Sequence, residues 1–225
     1  MQKSKELIKF LSQFITENRK NKFEEIIKLR TKHITVILED IFQPHNASAV
    51  LRSCDCFGIQ DVHIIENKNK YKVNPDVALG SANWLTLHHY NEQKNNTLYC
   101  INKLKKNGYK IIATTPHENN CELDDFKVDK KFALLFGTEM KGLSEDAINN
   151  ADEFLKIPMY GFTESLNISV SAAICLHHLT LKLRKSLVKW QLAEKEIDEI
   201  FLQWVRNSLK NHELLEKEYK KRGFN

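Results

Sequence analysis

Leu155-Lys156-Ile157-Pro158-Met159-Tyr160-Gly161-Phe162-Thr163-Glu164-Ser165-Leu166-Asn167-Ile168-Ser169-Val170-Ser171-Ala172-Ala173 changes character twice within a short span. An apolar run stops at Pro158, because proline removes a ladder donor and ends a strand. A loop containing Gly161 follows. Ser165, Asn167 and Ser169 then stand just ahead of an apolar helix that continues to Leu179, and Ser or Asn at such a place caps free N–H groups. Strand, loop and capped core helix is the plain reading. Two features go beyond it. The loop crowds polar groups between two apolar elements, where each must find a partner. The helix opens with Ser169, Ser171, Ala172 and Ala173, small residues that admit another backbone at unusually close range.

Upstream of this stretch, strands and helices alternate. His33-Ile34-Thr35-Val36-Ile37-Leu38-Glu39 is β-branched and reads as a buried strand. A turn at 44–46 and a helix over 48–57 follow, the helix ended by Gly58. Residues 62–65 are the next strand, which completes a β-α-β unit of the kind that crosses over right-handed. Residues 66–91 lack periodicity and read as loop plus short helices. Lys68, Lys70, Tyr71 and Lys72 interleave an aromatic with positive charge there, a weak signal for a phosphate backbone. A helix over 97–107, a strand over 109–113, a polar connection over 124–130 and a wholly apolar strand over 132–136 come next. Ser144 caps a helix over 145–150, and 154–157 is the last strand.

Both ends read as helical. Residues 4–30 form two helices interrupted at 18–22, and in the tail Trp190, Leu192, Ile197, Ile200, Phe201 and Trp204 form one apolar face. The alternation over 34–185 argues an α/β fold, a mostly parallel sheet with helices on both faces, flanked by N- and C-terminal helices. The expected organisation is a basic extension at 1–32, a central domain at 33–185 and a basic helical extension at 186–225.

Charge follows the same division. Of the 225 residues, 1–32 hold nine Lys/Arg against four Asp/Glu, 180–225 hold eleven against seven, and the middle holds fourteen against eighteen. The ends are basic and the centre acidic, so a polyanion meets the ends first. No apolar run approaches the length of a membrane span, and no secretory signal is expected. The five cysteines are odd in number and read as reduced, which points to the cytoplasm. The Cys54-x-Cys56 pair has no second pair beside it, and no metal site is expected.

In parallel sheets, ligands bind outside the carboxyl ends of the strands. Three loops fall there: 40–46, 137–142 and 158–167. None is a G-x-G-x-x-G cradle or a Walker loop, and no H-E-x-x-H or G-x-S-x-G occurs. The inventory is Asn46, Arg52, Glu139, Ser165 and Asn167, with glycines at 137, 142 and 161. One arginine, one glutamate and several amides suit a site that handles an anion and hydrogen-bonds a purine edge. They do not make a protease or a redox centre.

Three segments resemble, in order and spacing, the signature motifs of the SPOUT superfamily, specifically its TrmH-type tRNA ribose 2'-O-methyltransferases. They are Pro44-His45-Asn46-Ala47-Ser48-Ala49-Val50-Leu51-Arg52-Ser53-Cys54-Asp55, Leu135-Phe136-Gly137-Thr138-Glu139-Met140-Lys141-Gly142-Leu143-Ser144, and the run from Ile157 to Val170 within the opening stretch. Ala78-Leu79-Gly80-Ser81 with Trp84 is similar to the family's middle segment. The resemblance implies a C-terminal deep trefoil knot over about 132–179, which accounts for the small residues at 169–173. It implies S-adenosyl-L-methionine (AdoMet) as cofactor, its adenine and ribose against Thr114, Gly137, Ile157, Ser165 and Leu166. It implies a homodimer with the active site at the subunit boundary.

The implied reaction is attack of a ribose 2'-hydroxyl on a methyl sulfonium. The hydroxyl needs a base or strong polarisation. The resemblance gives Arg52 the catalytic role. A guanidinium is a poor base, so either a substrate phosphate assists Arg52 or its role is electrostatic. Asn46 orients Arg52 or the ribose, while Glu139, Ser165 and Asn167 position the nucleoside. The implied target is the D-loop guanosine at position 18 of tRNA. Alternatives are another tRNA site, ribosomal RNA, or a catalytically silent RNA-binding protein of the same fold. Met140-Lys141 and Phe162-Thr163-Glu164 depart from the commoner family pattern, and Glu164 puts a negative charge beside an RNA-binding loop. Phosphate contacts are expected from Arg19, Lys20 and Lys22 and from Lys217, Lys220, Lys221 and Arg222.

Overall fold

The computed structural model describes residues 2–71, 74–115, 121–138 and 141–221. In chain order the helices are α1 (Gln2–Leu11), α2 (Glu17–Ile26), α3 (Pro44–Cys56), α4 (Pro75–Ala78), α5 (Asn96–Lys106), α6 (Glu145–Asn150), α7 (Ile168–Lys185), α8 (Glu194–Asn207) and α9 (His212–Lys221). The strands are β1 (Ile34–Glu39), β2 (Asp61–Ile65), β3 (Thr86–Tyr90), β4 (Lys110–Thr114), β5 (Cys121–Glu122), β6 (Phe132–Phe136) and β7 (Glu153–Lys156). Two compact units result: residues 31–190, and residues 1–30 together with 191–225.

Residues 31–190 carry a seven-stranded sheet in the order β3-β2-β1-β6-β4-β7-β5, and every pairing is parallel. The most apolar strands, β1 and β6, lie beside each other in the middle, with Val36 opposite Leu134. Each is buried along its whole length, as a strand covered on both faces must be. Alternate side chains serve two cores. Val36, Leu38, Ile64, Leu134 and Phe136 pack with Val50, Leu51 and Cys54 of α3 and Ala172, Cys175 and Leu176 of α7. Ile37, Ile65, Ala133 and Leu135 pack with Cys100, Ile101 and Leu104 of α5 and Ala147 of α6. The backbone that the small residues of α7 admit is that of α3: the two helices pack together, with Ala47 and Ala172 both fully buried.

Four local readings are corrected. The turn expected at 44–46 is already helix, because Pro44 occupies the first turn, where a missing N–H costs nothing. Residues 66–91 include a strand, β3, half-exposed at the sheet edge and therefore weak in pattern. The break between the first two helices lies at 12–16, not 18–22. Thr16 caps α2 by accepting from the Arg19 N–H at 3.3 Å, which places Arg19, Lys20 and Lys22 on the helix itself. The tail is not one apolar face. Trp190 belongs to the sheet-bearing unit, where the Arg184 guanidinium lies 4.6 Å from its ring centre.

The second unit joins the chain ends. Phe23 meets Phe201 and Trp204 edge-on at 5.9 and 5.5 Å, Phe10 lies 5.2 Å from Tyr219, and the Arg30 guanidinium sits 5.3 Å from the Trp204 ring centre. None of the five cysteines is in a disulfide. Among the described residues no helix is long and apolar enough to cross a membrane, and no group of three or more His, Cys, Asp or Glu is arranged to hold a metal ion.

Candidate active site

The carboxyl ends of β4, β6 and β7 open into one cavity of about 550 Å³. Thr114, Gly137 and Ile157, from three different strand ends, line it together with Ser165 and Leu166 from the loop before α7. The five residues expected to hold a cofactor therefore share one wall-to-wall space. Apolar Met159, Leu166 and Ile168 line it together with polar Thr115, Asn167 and Ser171, and with Lys141 and Lys156. That mixture of apolar wall and a few convergent polar groups is the character of a small-molecule site, and the volume falls within the usual range of roughly 300–1,000 Å³.

The loop after β6 is held tightly. Thr138 N–H donates to the Gly142 carbonyl at 2.9 Å and Gly142 N–H returns to Thr138 at 3.0 Å. A Cβ on Gly137 would lie 2.3 Å from the Gly142 backbone, so no other residue fits without moving the loop. Gly142 takes φ +66°, a left-handed conformation that costs glycine least. Thr114 is fixed by its hydroxyl, which donates to the Leu135 carbonyl at 2.8 Å. Cys175 lies at the cavity on α7, and burial pushes its thiol up to about 12, so it stays protonated and unreactive.

Two amides join the signature loops. Asn167 caps α7, accepting from Ser169 N–H at 2.8 Å and from the Ser169 hydroxyl at 2.6 Å. Its Nδ2 donates to Oδ1 of Asn46 at 3.2 Å, which ties the start of α7 to the first turn of α3. Asn46 is buried, while Arg52, later on the same helix, is exposed and in no ion pair with any described residue. Ser165 is exposed on the cavity loop and Asn167 lines the cavity. Glu139 and Arg222 lie outside the described residues. Arg19, Lys22, Lys217, Lys220 and Lys221 are exposed, and Lys20 stands 3.7 Å from Glu17 and 3.9 Å from Glu24.

Sequence reading missed Glu39. At the end of β1 its buried carboxylate accepts from the Thr97 hydroxyl at 2.6 Å, from the Ser144 hydroxyl at 2.7 Å and from Ser144 N–H at 3.0 Å. It thereby anchors the far end of the loop after β6 to the starts of α5 and α6. A charged residue closing an apolar strand was the available signal, because such a buried carboxylate must find donors.

Residues 33–177 match the model of the SpoU rRNA Methylase family. The chain is 44% identical over 206 residues to a tRNA (guanosine(18)-2'-O)-methyltransferase of Borreliella burgdorferi, covering 92% of this chain and 93% of that protein. The crystal structure of the TrmH/SpoU tRNA modifying enzyme of A. aeolicus superposes with a TM-score of 0.76 at 26% identity, over 86% of this chain and 98% of that one. The fold is shared with the SpoU methyltransferase AviRb of Streptomyces viridochromogenes, a structure in complex with the cofactor AdoMet, at a TM-score of 0.57 and 19% identity over 72% and 62% of the two chains. The motif order, the parallel sheet with its cavity at the strand ends, and the family match over most of the chain lead to one conclusion: this protein belongs to the SpoU rRNA methylase family, among the TrmH-type members of the SPOUT superfamily.

Proposed function

We propose that the protein transfers a methyl group from S-adenosyl-L-methionine to the ribose 2'-hydroxyl of the D-loop guanosine at position 18 of tRNA. The observation that carries this reading is the single cavity lined by Thr114, Gly137, Ile157, Ser165 and Leu166, tied through Asn167 and Asn46 to the helix that bears Arg52. The 44% identical relative, named for guanosine 18, supports the choice of nucleotide.

The lining suits the cofactor. Exposed backbone of the loops can read the adenine edge, Leu166 and Ile157 supply apolar contact, and Lys141 suits a carboxylate. When bound, AdoMet supplies an electrophilic methyl sulfonium. The protein's own part is positioning and polarisation. Asn46 and Asn167 orient the nucleoside and Arg52, and Ser165 with Glu139 shapes the pocket. Arg52 binds the substrate phosphate and polarises the hydroxyl, whose proton passes to solvent water as its oxygen bonds the methyl carbon and the carbon–sulfur bond breaks; in-line placement near 3 Å supplies much of the rate.

The same reading includes a trefoil knot over about 132–179 and a homodimer whose active site lies at the subunit boundary. Val170, Ile174 and Leu181 form an exposed apolar stripe at helical spacing on α7, which supports association there. Sedimentation at the mass of one chain would contradict the dimer. RNA phosphates would meet the exposed Arg19, Lys22, Lys217, Lys220 and Lys221, and Lys20, in a cytoplasmic enzyme, with Arg222 included on the sequence alone. Isothermal titration with AdoMet tests the cofactor. Saturable heat at one site per chain is expected; no heat and no protection against thermal unfolding, with folded protein, would remove the enzymatic reading and leave a silent RNA-binding protein.

A further inference from the structure

The basic loop after β2 has no part in the cofactor cavity, yet it is built with more care than a solvated turn needs. Asp40, directly after β1, takes φ +51°, a left-handed conformation that asparagine and aspartate tolerate better than other side chains. From that position one carboxylate oxygen accepts three successive backbone N–H groups: Asn67 at 2.7 Å, Lys68 at 2.8 Å and Asn69 at 3.2 Å. Asn69 Nδ2 returns to the Asp40 carbonyl at 2.8 Å. Glu66 closes the other end by accepting from Tyr71 N–H at 2.8 Å, and Asn67 Nδ2 donates to the Thr97 hydroxyl at 2.9 Å. The backbone N–H groups of Asn67, Lys68, Asn69 and Tyr71 are each engaged, which holds the chain on both sides of Lys70, while Lys68 and Lys70 are exposed and in no ion pair with any described residue.

Position gives this construction a use. Asp40 begins the short connector from β1 to α3, and α3 starts at Pro44 with Asn46 in its first turn and Arg52 further along. The loop is therefore fastened to the segment that enters the proposed catalytic helix, at the carboxyl end of the parallel strands, where the cavity also opens. Asn74 N–H, beyond the loop, donates to the Ser48 hydroxyl of α3 at 2.7 Å. The chemistry also narrows the partner. A turn of consecutive N–H groups can cradle a small anion, but here those groups are engaged by Asp40. Two lysine ammoniums on a fixed frame remain, point charges suited to the spaced phosphates of a polyanion.

We propose that residues 66–71 form a preorganised docking site for the phosphate backbone of the RNA substrate, with Lys68 and Lys70 as the contacts and Asp40 as the residue that positions them. This rests on the reading of the protein as a tRNA methyltransferase, and it adds a contact in the acidic centre of the chain to those at its basic ends.

The test uses the full-length protein, AdoMet and a tRNA transcript, with tRNA binding measured directly across salt concentrations beside the kinetics. K68A/K70A removes two exposed charges and leaves folding alone. The expected result is a KM for tRNA raised about tenfold with kcat within about twofold, and a salt slope of binding smaller by about two. D40A is the sharper variant, because it removes both the charge and the acceptor, and the two explanations predict opposite signs. As a field effect alone, removing a negative charge would tighten tRNA binding. As loss of the frame that positions Lys68 and Lys70, it weakens binding several-fold with unchanged AdoMet affinity, in a protein that still folds, as a cooperative thermal transition raised by AdoMet shows. An unchanged KM and salt slope in K68A/K70A, or tighter tRNA binding in D40A, would overturn the proposal. Failure of the broader reading looks different: wild-type protein that transfers no methyl to tRNA, in which case direct binding still decides whether the loop holds RNA.

Discussion

Asn167 serves two partners with the two ends of one amide. Its oxygen caps α7 and its nitrogen reaches Asn46 at 3.2 Å. These roles separate by substitution. Asn167→Ala loses both, and loss of a cap costs about 1 kcal/mol, which lowers the melting temperature by roughly 2–4 °C in a chain of this size. Asn167→Ser restores a capping oxygen but cannot span to Asn46. Stability should return to within about 0.5 kcal/mol of wild type while methyl transfer stays depressed at least tenfold. Equal recovery of stability and turnover would show that Asn167 acts only as a cap. Asn167 was legible in the sequence as a polar residue at a helix start and Asn46 as one in a loop at the strand ends, and the resemblance supplied their roles. Their contact was not, because 121 residues separate them and only the packing of α3 on α7 brings them together. Glu39 stayed hidden for the same reason: its partners Thr97 and Ser144 lie far along the chain.

Among the elements, legibility followed burial. The strands β1, β2 and β6 are covered on both faces and are rich in Val, Ile, Leu and Phe, β6 without interruption, so their positions were plain. The edge strand β3 pairs on one side only, and Thr86-Leu87-His88-His89-Tyr90 carries little pattern of its own. The two-residue strand β5 exists through its pairing with β7. The loop after β6 depends on a close approach that a motif can mark but not measure. There, Gly137→Ala would set a Cβ 2.3 Å from the Gly142 backbone. Relief requires the loop to move, at a cost of about 1–3 kcal/mol. The denaturant midpoint should fall accordingly, and AdoMet affinity should fall with it, since the same loop lines the cavity. A variant with wild-type stability and cofactor binding would mean that the loop yields freely.

At the scale of the whole molecule, the two basic ends belong to one folded unit. Phe10, Leu11, Phe23 and Trp204 are buried within it, so deleting either end would destroy its core and confuse charge with folding. Charge substitution is the clean probe. Changing Arg19, Lys22, Lys220 and Lys221 to alanine should weaken binding of all RNAs alike and reduce the salt slope by up to about four, without changing which nucleotide is modified. Basic ends and an acidic centre were visible as composition; that the ends share a core was not, because their contacts join residues nearly two hundred positions apart. The central claim, ribose methylation of one tRNA nucleotide through Arg52, is tested most directly by mapping 2'-O-methyl groups in total RNA treated with the protein and AdoMet, beside an Arg52→Ala control that still binds AdoMet. The account predicts one new 2'-O-methylguanosine, at position 18 of the tRNA D-loop, absent with Arg52→Ala. A mark confined to the anticodon loop or to ribosomal RNA, or an undiminished mark from Arg52→Ala, would contradict it.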